Sequence, residues 1–202
     1  MISILDKNSK ISEHKSSLNI TYPRTVNIIF GNYPYPEVLH NLIIEIKNNV
    51  KEHMNGYTNV KGGMTEWSYF VDNPLFKNFF AHLINKHQIT HGDIFQFFYE
   101  KFMLQDVWGN EIKKGDSLEY HTHPCYHGIF YLTKGCDLIL PELNIKITPS
   151  PGDYYIFPPC ILHGFNESDE DFNRYSLIFN IEENQHFDFN AKLRKIDDRK
   201  NR

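Results

Sequence analysis

Hydrophobic positions recur at two different periods along this chain, and the change between them divides it. After Pro36, residues Val38, Leu39, Leu42, Ile43, Ile46 and Val50 stand at three- and four-residue steps, and after Asn73-Pro74 the same holds for Leu75, Phe76, Phe79, Phe80, Leu83 and Ile84. That spacing predicts two one-sided helices, the second opened by an N-cap asparagine and a first-turn proline. Each needs an apolar surface to cover. From about Phe95 the period shortens. An aromatic-rich run reaches Lys114, and segments near 117–123, 127–133, 137–141, 143–148, 153–158 and 173–181 are separated by Gly115, Gly135, Pro141, Pro149, Pro151-Gly152 and Pro158-Pro159. These are strand lengths with turn punctuation. One earlier strand is predicted over residues 25–30, bounded by Gly31. Short, closely spaced strands suggest a jelly-roll barrel, so the expected fold is mainly β with flanking N-terminal helices. Residues 1–202 read as a single domain, with 1–95 supplying a strand and helices that pack on the barrel, 96–182 its core, and 183–202 a charged C-terminal tail.

Composition narrows the function classes. With 202 residues, 41% apolar and 15% aromatic, the chain can bury a substantial core. A formal charge of −4 gives no global basic field, so nucleic acid is not indicated as a partner. No apolar run approaches the roughly 18 residues needed to span a bilayer, and Met1 to Lys7 lack the basic region and long apolar core of a secretory signal. Cys125, Cys136 and Cys160 are an odd number without repeated spacing. The reading is a reduced, cytoplasmic protein of a cell or an infected host, with a homodimer left open.

The chemistry concentrates in the strand-rich part. His121 and His123 flank a single residue, so on a strand both imidazoles point to one face, and His163, forty residues later, completes a facial triad for a transition metal. If those two point inward, Glu119 does as well, and His127, Ile129 and Tyr131 share one face of the next strand. Arg174, Ser176, Ile178 and Asn180 also alternate. An arginine inside a barrel is costly unless a carboxylate meets it, either an internal one such as Glu119 or a small organic acid held in two-point contact. Cys160 reads as a small buried thiol. His14, His40, His53, His82, His87, His91 and His186 read as surface residues, and Trp67, Tyr69, Phe79 and Phe80 as packing.

The run Trp108-Gly109-Asn110, Lys114-Gly115-Asp116, His121-Thr122-His123-Pro124 and Gly128-Ile129-Phe130-Tyr131-Leu132, followed by Pro151-Gly152-Asp153, Phe157-Pro158, His163 and Arg174-Tyr175-Ser176-Leu177-Ile178-Phe179-Asn180, resembles the iron(II)- and 2-oxoglutarate-dependent oxygenases. It is closest in style to small forms found in marine bacteriophages. The likeness spans residues 96–182 and, more loosely, the stretch around 59–65. It implies a double-stranded β-helix, Fe(II) held by His121, His123 and His163, and 2-oxoglutarate as cosubstrate with its distal carboxylate on Arg174 and Ser176. Tyr131 is implied as a hydrogen-bond donor to that carboxylate, or is core filling. The implied activity is a dioxygenase, most simply a hydroxylase releasing succinate and CO2, acting on an unnamed peptide, nucleobase or metabolite.

One departure keeps alternatives open. The oxygenases carry a carboxylate where this chain has His123, so the metal keeps its full charge unless anions compensate it. Three-His cupin enzymes share the barrel. Gly115, His121, His123 and His127 follow their first motif with His127 in place of Glu, and Gly152, Pro158, His163 and Asn166 approach the second, with Cys160 in place of its glycine. His127 is then a fourth ligand, a hydrogen-bonding neighbour of the ligands or a pocket residue. A non-catalytic ligand-binding barrel is the third reading.

Overall fold

The computed structural model describes residues 2–4, 11–13, 20–22, 26, 28–52, 58–91, 102–169 and 171–183. The expected tail, apart from Glu183, lies outside them. In chain order the strands and helices are β1 (Ile2–Ile4), β2 (Ile11–Glu13), β3 (Ile20–Tyr22), β4 (Ile29–Asn32), α1 (Pro36–Asn49), β5 (Lys51–Glu52), β6 (Val60–Lys61), β7 (Gly63–Met64) and α2 (Pro74–His91). They continue with β8 (Phe102–Ile112), β9 (Ser117–His121), β10 (Tyr126–Tyr131), β11 (Leu138–Leu140), β12 (Ile145–Ile147), β13 (Asp153–Phe157), β14 (His163–Phe165) and β15 (Arg174–Glu183).

The last eight strands pair in a nested way: β8 with β15, β9 with β14, β10 with β13 and β11 with β12, all antiparallel. A long hairpin folded over on itself gives this order, and it is a double-stranded β-helix. One sheet runs β4-β13-β10-β15-β8-β7-β5 and the other β1-β12-β11-β14-β9-β6, with β2 and β3 forming a separate hairpin. The two large sheets remain separately hydrogen-bonded, so the expected barrel is an open sandwich. Its inner core joins Trp108, Ile129, Tyr131, Tyr155, Phe157 and Ile178 of the first sheet to Leu138, Leu140 and Ile147 of the second.

Both predicted helices form, and local chemistry starts them. Pro36 opens α1, where its missing N–H leaves no bond unmade. Asn73 caps α2, its Oδ1 accepting from the N–H groups of Leu75 and Phe76 at 2.9 and 3.1 Å. Leu39, Leu42 and Ile46 of α1 and Phe76, Phe79 and Leu83 of α2 are buried on the outer face of the seven-stranded sheet, with the Phe79 ring stacked on Phe130 at 3.8 Å. That cover explains why β15 is buried on both faces. Tyr175, Leu177, Phe179 and Ile181 meet the helices, which turns Arg174, Ser176, Ile178 and Asn180 toward the space between the sheets. Among the described residues no helix is long and apolar enough to cross a membrane.

Two expectations change. Gly31 lies inside β4 rather than bounding it, paired opposite Tyr154, and the Tyr154 ring fills the space a Cβ there would take. Strand β14 falls between the expected segments, and at three residues it is too short to show a period.

Candidate metal and ligand site

Antiparallel register brings the histidines together. His121, the last residue of β9, pairs with His163, the first of β14, while Phe165 pairs with Leu118. Three steps on β9 therefore face two on β14, a β-bulge that breaks the alternation. Leu118 and His121 both line the inter-sheet cavity. Glu119 turns to solvent, where Lys61 pairs with it at 3.1 Å. The expected inward Glu119 is thus corrected, and it is no partner for Arg174.

His123 lies two residues beyond the end of β9, and its carbonyl accepts the Cys160 N–H at 2.9 Å. This bond ties the loop after β9 to the loop before β14. Cys160 is exposed, not buried as expected, and it holds φ 65°, the left-handed region that favours glycine. The cupin pattern has glycine at this position, so the backbone shape persists with another side chain.

One ring nitrogen from each of His121, His123 and His163 falls within 4.8 Å of the others. Backbone carbonyls orient two of the rings: His121 Nδ1 donates to Glu119 O at 2.7 Å and His163 Nδ1 to Ile161 O at 2.9 Å. Each therefore presents Nε2 as a lone pair, the arrangement that ligating imidazoles use. His121 and His123 bring their Nε2 atoms to 3.0 Å, and His163 Nε2 is buried with no partner among the described residues. Burial, then the neighbouring His121 and His163 rings, holds His123 down to about 3; burial, with His121 adding to it and the bond to the Ile161 carbonyl opposing it, holds His163 down to about 4. Burial also lowers His121, against the pull of its bond to the Glu119 carbonyl, so all three rings favour the neutral form. Three neutral imidazole donors suit a divalent first-row transition metal.

His127, on β10, is buried behind them. Its Nδ1 lies 3.0 Å from Asn180 Oδ1, and its ring stacks on His123 at 3.8 Å between centroids and 9° between planes. It is not among the three whose nitrogens converge.

Pairing across β8, β15, β10 and β13 arranges the inner wall in rows. Asn180, His127 and Phe157 form the row at the histidines; next come Trp108, Ile178, Ile129 and Tyr155; then Asn110, Ser176 and Tyr131; and last Ile112 and Arg174. The wall grades from imidazole, through apolar, to hydroxyl and amide, to cation. Arg174 is only 5% exposed. Its Nη1 donates to the Cys136 carbonyl at 3.1 Å and reaches Cys136 Sγ at 2.9 Å, its plane lies over Phe165 at 4.2 Å, and Tyr131 is 5.8 Å away. No carboxylate pairs with it among the described residues, and its Nε is buried without a partner. Burial raises the Tyr131 phenol well above its ordinary value, against the pull of Arg174, so it stays an un-ionised donor.

A cavity of about 70 Å³ opens onto the histidines, bordered by Thr58, Asn59 and Val60 at one side and by Trp67, Trp108 and Asn110 at another. Trp108 and Asn110 are expected only as part of the run that carries the family resemblance, and they line this cavity. Their signal was the same alternation, two steps apart on β8, and it needed the β15 register to be oriented. Trp108 Nε1 and Asn110 Oδ1 are also buried without partners among the described residues. Trp67, expected as packing, lines the cavity edge-on to Trp108 at 4.6 Å. His82, expected at the surface, is half-buried against Tyr33 at 5.1 Å, while His40 is exposed. His14, His53 and His186 lie outside the described residues, as do the side chains of His87 and His91.

No protein-family model matches the sequence, and no curated protein does. Solved structures do match. The viral collagen prolyl hydroxylase of Paramecium bursaria Chlorella virus-1, in complex with 2OG, superposes with a TM-score of 0.53 at 14% identity, over 78% of this chain and 96% of that one. HygX of Streptomyces hygroscopicus, with nickel and 2-oxoglutarate bound, gives 0.56 at 10% identity over 80% and 84%. The fold is that of the 2-oxoglutarate oxygenases. A prolyl-4-hydroxylase of Pseudomonas putida gives 0.55 at 13% identity over 78% and 93%. The three superpositions cover 78–80% of this chain and 84–96% of theirs.

Proposed function

We propose that this protein is an Fe(II)- and 2-oxoglutarate-dependent oxygenase, most simply a hydroxylase. The observation that carries the reading is three converging imidazoles on β9, the loop after it and β14 and, on the facing sheet three rows from His127, a buried arginine with no carboxylate among the described residues. In this reading His121, His123 and His163 hold the metal. Arg174, Ser176 and Tyr131 hold the distal carboxylate of the cosubstrate, and the apolar row of Ile129 and Ile178 covers its methylene chain. A buried guanidinium is stable only when an anion meets it, and its flat fork matches a carboxylate in two-point contact. Bound iron supplies the oxidation of a C–H bond by O2, with 2-oxoglutarate consumed to succinate and CO2. The protein's residues orient the cosubstrate, and Trp67 and Trp108 exclude water beside the histidines.

His123 in place of a carboxylate leaves the centre one unit more positive, which the anionic cosubstrate offsets. It also supports the second reading, a three-His cupin dioxygenase. That reading weakens with His127, which stacks behind His123 where the cupin motif has a ligand. The substrate is drawn from peptides, nucleobases or metabolites, and a viral setting accords with the viral prolyl hydroxylase among the structural relatives.

The test is an anaerobic titration of the Fe(II)-loaded protein with 2-oxoglutarate, watching the visible charge-transfer absorption of the chelate. Wild type develops the band. Arg174→Ala keeps its iron and loses roughly 100-fold in 2-oxoglutarate affinity, the scale of charge-assisted hydrogen bonds left unmade. Iron bound with no band in wild type would move the cupin reading to first place.

A further inference from the structure

Arg174 does not hold its own position. Four rotatable bonds separate its fork from β15, and the strand fixes only the first. The segment after β10 fixes the rest. Gly135 lies against the arginine stem so closely that a Cβ there would come 2.2 Å from Cδ and 2.5 Å from Cγ. The next residue, Cys136, takes Nη1 twice, through its carbonyl at 3.1 Å and its thiol sulfur at 2.9 Å. Phe165 supports the plane from beneath at 4.2 Å. With both Nη1 protons spent on Cys136, the Nε edge of the fork is the part left over, and Nε is the atom buried without a partner among the described residues. Burial holds the thiol above its ordinary value, with Arg174 pulling against it, so the sulfur is the neutral SH form and an acceptor.

We infer that Gly135 and Cys136 form a clasp that positions Arg174, so that its Nε edge is presented to a carboxylate, and that Cys136 is a positioning residue for cosubstrate binding. The inference rests on the cosubstrate reading above. It assigns the second cysteine of the chain a role that its spacing does not reveal: the side chain never meets the ligand, and it acts by occupying the opposite edge of the fork. An arginine held this way loses less rotamer freedom when the anion arrives, and that saving appears as affinity.

The experiment compares wild type, Cys136→Ala, Cys136→Ser, Gly135→Ala, Arg174→Ala and the Cys136→Ala/Arg174→Ala double variant. Iron content is measured first, then the 2-oxoglutarate dissociation constant from the anaerobic absorption band and, independently, by calorimetry on the nickel-loaded protein. Cys136→Ala weakens 2-oxoglutarate roughly three- to tenfold with unchanged metal content, the scale of one modest hydrogen bond. Cys136→Ser, which keeps an acceptor there, stays near wild type, and Gly135→Ala weakens binding at least as much as Cys136→Ala. In the Arg174→Ala background Cys136→Ala has no further effect, because the residue it positions is gone. Wild-type affinity in Cys136→Ala, or an equal loss in both backgrounds, overturns the clasp while leaving the cosubstrate reading standing. Failure of wild type to bind 2-oxoglutarate overturns both.

Discussion

Cys160 shows how much a single backbone angle can say about a site. At φ 65° an L side chain is held where glycine is at ease, and the bond that keeps it there runs from its N–H to the carbonyl of His123. Replacing it with glycine relieves roughly 1–2 kcal/mol of left-handed strain and returns part as unfolded-chain entropy. Cys160→Gly therefore raises thermal stability by about 0.5–1 kcal/mol, whereas Cys160→Ala, which keeps the Cβ, does not. A melting midpoint that falls for the glycine variant rejects this account. The histidines set a pH dependence of definite sign. His123 and His163 titrate in the folded chain at about 3 and about 4, both below the unfolded value of 6.5. Their stability is whole above 6.5. As pH falls below it, the unfolded chain takes up protons that the folded site refuses, so stability drops toward the folded values. For the metal-free protein, urea midpoints at pH 7, 6 and 5 decline in that order, and a flat series would contradict the burial assigned to these rings.

At the scale of elements, the helices and the site are energetically separable. Asn73 supplies two N-terminal hydrogen bonds to α2, at the far side of the seven-stranded sheet from the histidines. Asn73→Ala costs about 1 kcal/mol of stability and leaves the affinity for Ni(II) unchanged; a variant that folds normally but binds nickel more weakly would show that α2 is coupled to the site. The helices were legible in the sequence because cap, first-turn proline and apolar stripe are local signals that agree with one another. The long strands were legible for the same reason. Strand β14 and the bulge in β9 were not, since three residues carry no period and a bulge is decided by the partner strand. That is why Glu119, inward by simple alternation, stands outside beside Lys61.

The whole molecule contributes a convergence that no segment holds. The chain's two tryptophans, Trp67 and Trp108, come from a loop before α2 and from β8, and both line the cavity that contains the histidines. Intrinsic tryptophan fluorescence therefore reports on this cavity alone. Ni(II) quenches it with saturation at one equivalent, His163→Ala abolishes the saturable phase, and quenching that persists in that variant would place the metal elsewhere.

Local spacing already names the candidates, because their signals are short-range: HxH spacing, a distal histidine beside prolines, and an Arg-x-Ser alternation are written in nearby residues. It also determined the sheet-and-helix class, through two clear periods. The folded chain settles which faces turn inward, since that depends on which surface the helices cover. It decided that His127 stacks behind His123 rather than joining the converging nitrogens. It brought in Trp108, Asn110 and Cys136, whose meaning lies in register across strands and in contact between a loop and a side chain 38 residues away. Long-range pairing is set by the summed burial of both sheet faces, and no local pattern contains that sum.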